Sequence, residues 1–407
     1  MSVFLQFIAL LVIILVSAKL AGYYASKIGQ PSVLGELLAG LILGPSLINI
    51  FQLNFISDSH TLYELVKEVS ELGVLFLMFL AGLELHIKDL ARNTKVSAYV
   101  GILGVVFPVL LGWITGLLFG MESQQAIFLG LILGATSVSI SAQTLIELKV
   151  IRSRVGLGLL GSAVFDDILV ILFLSIFLAV VTGGGTILAI VFVFVKMVFY
   201  MALFAALGIW VLPILIRWTI KKPISQGMIT LAIVVALGFG LAAELIGGMA
   251  AITGTFLAGL MFSRTPEKKE IERGIQTISY SFFVPLFFVS IGLNINIREL
   301  ESDALIFSLV LSGVAILSKL IGAGLGAKLA SFSWKESLQL GIGMISRGEV
   351  GLIVATIGVD NGFIQPDIFS AIVGMVLITT LVTPPLLRFS FSSEKKALQP
   401  PVNQSGN

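Results

Sequence analysis

An all-α polytopic membrane protein is the fold class this sequence predicts: about 13 transmembrane helices in two inverted six-helix repeats, with two interrupted crossing helices. Three observations predict it. Only 12% of the 407 residues are charged and 57% are hydrophobic, with a mean hydropathy of +1.06. A water-soluble domain carries roughly 25% charge and cannot hide so much apolar side chain. Apolar runs follow one another along the chain, and short strings recur seven runs apart.

The runs, in order, are 3–18, 31–50, 65–84, 97–119, 125–146, 155–181, 187–216, 226–246, 248–263, 275–293, 303–328, 336–358 and 367–389. Crossing about 30 Å of hydrocarbon takes about 20 such residues. The first run has no basic residue before it and Lys19 after it, so it reads as a retained span rather than a cleaved leader. Only Gly247-Gly248 parts the eighth run from the ninth. Residues 1–389 form a single membrane domain, with halves at 1–181 and 226–389 and a linker helix at 187–216. The polar residues 390–407 are predicted to be a disordered cytoplasmic tail.

Charge sets the orientation. Of the 25 Lys and Arg residues, 20 lie in connections after odd-numbered runs, against Lys67 and Arg298 on the even side. Positive charge collects in the cytoplasm, so the N-terminus is expected outside and the C-terminus inside. Leu38-Ala39-Gly40-Leu41 in run 2 recurs as Leu257-Ala258-Gly259-Leu260 in run 9. FLMFLAGLEL in run 3 matches FFVSIGLNI in run 10, and LGLILGATS in run 5 matches LGIGMISRG in run 12. Seven is odd, so the copies are inverted across the membrane, a construction common in secondary transporters.

Ionisable residues at membrane depth are costly and persist with a partner or a task. Asp166 and Asp167 lie about 17 Å into run 6, Lys319 about 13 Å into run 11 and Arg347 about 17 Å into run 12. Thr136 and Ser137 are comparably deep in run 5. A structural ion pair would need one aspartate for Lys319; two in succession point about 100° apart, leaving one carboxylate for a cavity. Runs 5 and 12 are rich in Gly, Ser and Thr at Gly134–Ser141 and Gly341–Gly351 and are the predicted interrupted helices. Unwound backbone there offers carbonyls to a cation, and Glu349 can balance Arg347.

Other charges read more plainly. Glu36, Glu84 and Glu147 fall near run ends and are expected to be interfacial, and Glu244 sits near an outer end. Lys196, deep in the linker run, has no assigned role. The chain has no Cys and its two His are His60 and His86, which excludes disulfides and Cys- or His-based metal and catalytic centres. His86 reads as a solvated loop residue.

At these residues the chain resembles the monovalent cation:proton antiporter family, in its second branch. That branch holds bacterial sodium/proton exchangers and the membrane parts of potassium efflux systems. The matching strings are QPSVLGELLAGLILGPS at 30–46, FLAGLEL at 79–85, GATSVSISAQTLIEL at 134–148, AVFDDILV at 163–170 and SRGEVGLIVATIG at 346–358. The resemblance implies 13 helices, a dimerisation domain, a moving core and a homodimer in the plasma membrane. By motif position Asp167 takes the cation and the proton in turn and is the metal-binding residue. Asp166 pairs with Lys319, while Thr136, Ser137, Arg347 and Glu349 belong to the helix crossing. An Asp-Asp pair with a lysine resembles the electrogenic sodium-type members. No cofactor and no nucleic acid are expected, and nucleotide regulation would need a separate subunit. Potassium/proton exchange and cation-coupled symport of an organic solute are the alternatives. A channel lacks a filter-like loop, and an intramembrane enzyme lacks converging catalytic groups.

Overall fold

The computed structural model describes residues 2–54, 56–85, 94–181, 187–293 and 302–398. His86 and Arg298 lie outside the described residues. The side chain of Glu349 lies outside them too, as do residues 399–407 of the tail.

Among the described residues, every regular element is a helix. The first helices are α1 (Val3–Lys27), α2 (Ser32–Leu43), α3 (Ser59–Glu84) and α4 (Thr94–Leu118). Run 5 forms α5 (Ser123–Gly134) and α6 (Val138–Glu147), run 6 forms α7 (Arg154–Val181), and the linker run forms α8 (Ile187–Trp210) and α9 (Leu212–Ile220). Then come α10 (Gly227–Ala242), α11 (Ala251–Phe262), α12 (Lys268–Ile278) and α13 (Val284–Leu293). The chain closes with α14 (Ser302–Leu329), α15 (Trp334–Gly343), α16 (Glu349–Asp360) and α17 (Pro366–Leu398). Single π-turns at Ala243–Gly247 and Ser279–Phe283 extend α10 and join α12 to α13. Among the described residues, nine helical stretches are long and apolar enough to cross a membrane.

Local chemistry sets the boundaries. Asp58 caps α3 by accepting from the Thr61 amide at 3.0 Å, and Ser333 with Glu336 forms a capping box on α15. Run 2 was expected to reach residue 50, but α2 stops at Leu43 because Pro45 forces Gly44 into an extended conformation. Gly248, at φ 63°, takes the left-handed turn that separates α10 from α11. Helix α17 continues past the apolar run, without a breaker, as far as Leu398.

The helices sort into two bundles. α1–α3 pack with α10–α13, and α4–α7 pack with α14–α17, while α8 touches both α7 and α11. Helices in lipid gain from close backbone approach at small residues, and the repeated strings supply it. A Cβ on Gly40 would fall 2.1 Å from the Val289 carbonyl, and one on Gly259 2.0 Å from the Phe79 carbonyl. Run 2 is thereby clasped to run 10, and run 9 to run 3. The short helices α2 and α11, 12 residues each, occupy matched places in the two clasps.

Candidate functional site

The two neighbouring aspartates of α7 serve different surroundings. Asp166 points into the second bundle, and both it and Lys319 are 0% exposed. The Lys319 ammonium donates to Asp166 Oδ1 at 3.0 Å and to the Gly134 carbonyl at 2.9 Å. Gly134 is the last residue of α5, where carbonyls lose their intrahelical partners. Lys319 therefore neutralises a buried carboxylate and caps a half-helix with one group.

Arg347 repeats the device at the second break. Its guanidinium, also 0% exposed, donates to the Met344 carbonyl at 3.1 Å, to the Ile345 carbonyl and to the Ala315 carbonyl at 3.3 Å. Met344 and Ile345 directly follow the end of α15. Each broken helix thus ends its negative pole on a buried cation.

The two breaks are tied together. Ala135 and Ser137 are extended, and the Ser137 amide donates to the Ser346 carbonyl at 2.9 Å. The Ser346 hydroxyl donates back to the Ser137 carbonyl, and the Ser141 hydroxyl donates to the Gly343 carbonyl at 2.6 Å. A Cβ on Gly348 would meet Ser137 Oγ at 2.6 Å, so this approach needs glycine. Outside the crossing, the Thr380 hydroxyl satisfies the Arg347 carbonyl at 2.6 Å.

Asp167 faces the seam between the bundles and is half-buried. The Thr253 hydroxyl of α11 donates to its Oδ2 at 3.2 Å. A cleft of about 20 Å³ opens here, lined by Thr136, Asp167 and Thr253 among apolar residues such as Met78, Val138 and Phe256. That is room for about one water-sized particle. The hydroxyl of Thr136 lies beside the Asp166 carboxyl, yet it is buried without a hydrogen-bond partner, as are Asp166 Oδ2 and Arg347 Nε. A carboxylate with hydroxyl and carbonyl oxygens is a hard donor set suited to a hard cation. Among the described residues no three His, Cys, Asp or Glu side chains gather to hold a resident metal.

The cleft shares Val164, Thr253 and Phe256 with a wider one of about 250 Å³ that reaches Thr94 and Ser97. A third, of about 540 Å³, lies between α3 and α13 on one side and α16 and α17 on the other, and includes Lys67, Glu71, Gly348 and Thr356.

Of the residues singled out in the sequence, Asp166, Lys319, Thr136, Ser137 and Arg347 meet in one buried region. Asp167 stands apart from Lys319, at the seam. Glu349 is the first residue of α16. Three acids expected to be interfacial have partners. Glu84 accepts from Arg152 Nε at 2.8 Å, Glu36 lies 3.8 Å from Lys19, and Glu147 accepts from the Ser32 amide at 2.7 Å. Sequence reading missed Thr253, because a contact spanning 86 residues between bundles leaves no spacing to read. The Gly134 carbonyl was foreseen only as unwound backbone, without its partner.

The family profile described as "Sodium/hydrogen exchanger, transmembrane" matches residues 12–391. The chain is 40% identical to the Na(+)/H(+)-K(+) antiporter GerN of Bacillus cereus, over 97% of this chain and 98% of that one. It is 39% identical to a Na(+)/H(+) antiporter of Enterococcus hirae, over 95% and 98% of the two chains. The sodium proton antiporter MjNhaP1 of Methanocaldococcus jannaschii, solved at pH 8, shares the fold at a TM-score of 0.70 and 20% identity, covering 97% of this chain and 99% of that one. A profile match across nearly the whole length, with relatives at this identity, places the chain in the sodium/hydrogen exchanger family.

Proposed function

We propose that this protein exchanges sodium ions for protons across the plasma membrane by alternating access, with Asp167 as the shared site. The observation that carries the reading is the seam position of Asp167. It is a half-buried carboxylate in a cleft of about 20 Å³, with hydroxyls on either side. A carboxylate cannot hold a proton and a bare cation on the same oxygens, so occupancy by one excludes the other. Movement of α4–α7 and α14–α17 against the other bundle then presents the site to each side in turn. The clefts that reach Ser97 and Thr356 are the two routes, and the exchange needs no cofactor.

The finer features belong to the same proposal. Thirteen spans in two inverted halves are supported by the paired clasps of runs 2 with 10 and 9 with 3, and by the twin capped breaks. The N-terminus is placed outside and the C-terminus inside on the charge asymmetry. Asp166 and Lys319 form the charge pair of an electrogenic exchanger, and the protein works as a homodimer. Potassium is the second reading for the cation, favoured by the name of the Bacillus cereus relative.

The test is reconstitution into vesicles with each alkali cation in turn. Sodium alone, without an organic solute, is expected to drive proton movement in the wild type. Asp167→Asn is expected to abolish it, and wild-type rates in that variant would remove Asp167 from the mechanism.

A further inference from the structure

Hydroxyls in apolar helices ordinarily turn back onto their own backbone, and this chain follows the rule around Thr253. Thr255 donates to the Ile252 carbonyl at 3.0 Å, Ser263 to that of Leu260 at 2.8 Å and Thr265 to that of Phe262 at 2.9 Å. Thr253 breaks it. Its hydroxyl crosses the seam to Asp167 Oδ2 at 3.2 Å, although the residue is only 4% exposed. It also lines both the small cleft at Asp167 and the wider one that reaches Thr94 and Ser97, so it stands at the neck between them. Across the small cleft stands Thr136, buried with its hydroxyl beside the Asp166 carboxyl.

We propose that Thr253 is an oxygen ligand lent to the cation by the bundle that does not carry Asp167, so that it binds the cation in one of the two exposed states only. The inference rests on the exchange reading above and deepens it. Asp167 and Thr136 travel together, since α5, α6 and α7 belong to one bundle. Thr253 stays with α11. When the bundles shift, the carboxylate and the first hydroxyl keep their relation while the second hydroxyl is left behind. The site therefore has a fuller oxygen shell facing the Ser97 side than facing the Thr356 side, and its affinity for the cation differs between the faces. Thr253 discriminates through geometry, because its oxygen is fixed by a packed helix turn rather than by a flexible loop.

Thr253→Val keeps the shape and removes the oxygen; Thr253→Ser keeps the oxygen. Each is reconstituted in vesicles of both orientations, and sodium-driven proton movement is measured from each face. Labelling of Ser97→Cys, in a chain with no other cysteine, identifies the face onto which the Ser97 cleft opens. Thr253→Val is expected to raise the apparent KM for sodium about threefold to tenfold on that face, the effect of losing one hydrogen-bonding group. The opposite face keeps the wild-type KM, and Thr253→Ser restores the first. Thr253→Ala, which also removes bulk, must show the same one-sided change. An unchanged KM, an equal rise on both faces, or no restoration by serine overturns the proposal. If Asp167→Asn is inactive while Thr253→Val matches the wild type, only the role of Thr253 falls. If Asp167→Asn exchanges normally, the site itself falls.

Discussion

A buried lysine seldom has two tasks, but Lys319 holds Asp166 at 3.0 Å and the end of α5 at 2.9 Å. Removing one member of a buried pair strands the other, at a cost of about 3–5 kcal/mol, whereas replacing both by neutral groups costs far less. Lys319→Met is therefore expected to lower the thermal midpoint of the purified protein sharply. Asp166→Asn with Lys319→Met should recover most of the loss, leaving only the uncapped Gly134 carbonyl. If Lys319 also takes part in transport, the double variant melts near the wild type yet carries a different charge per cycle, read from the voltage its vesicles develop. An unaltered charge per cycle would make Lys319 structural alone.

At the scale of elements, the two bundles are fastened at one end by side chains from the α6–α7 region. Helix α2 begins after Pro31, which offers no side-chain cap. The missing cap comes from the other bundle. Glu147 accepts from the Ser32 amide at 2.7 Å and from the Ser32 hydroxyl, and Gln143 steadies it at 2.9 Å. A little further on, Arg152 reaches Glu84 at the end of α3. Any displacement of one bundle against the other must break these contacts. A helix cap contributes about 0.5–2 kcal/mol, enough to bias a two-state balance severalfold. Ser32→Cys with Glu147→Cys, joined by a reductant-cleavable thiol cross-linker, is expected to stop exchange until the link is cut. Full activity with the link intact would mean that the bundles do not part there.

For the whole molecule, the crossing lies between the two proposed routes. Gly348 lines the cleft that reaches Thr356 and also packs on Ser137. Thr136 lines the small cleft on the Ser97 route. Single cysteines at Ser97 and Thr356 are expected to react with a membrane-impermeant thiol reagent from opposite sides. Conditions that protect one should expose the other. Both reacting from the same side would refute the two routes.

How legible was this in the sequence? Apolar runs located the helices, because the bilayer demands length and apolarity of every span. The matched strings read as a repeat, and packing shows that their glycines seat close backbone contacts that admit no side chain. The Gly-, Ser- and Thr-rich stretches marked the breaks at 135–137 and 344–348. Ionisable residues at membrane depth are costly, which is why Asp166, Lys319 and Arg347 stand out in the sequence without any knowledge of contacts. Pro45 marks the end of α2 at Leu43, while the apolarity that continues to residue 50 hides it.

Pattern along the chain thus determined the membrane class, the helices and the charged residues that need partners, because each follows from the free energy of one segment in lipid. Tertiary structure alone decided which partner each one takes. The two aspartates differ by one step of helix rotation, so nothing local separates the one sealed against Lys319 from the one set at the seam. The hydroxyl of Thr253, the carbonyl of Gly134 and the cap that Glu147 lends to α2 come from distant segments, and only packing brings them into reach.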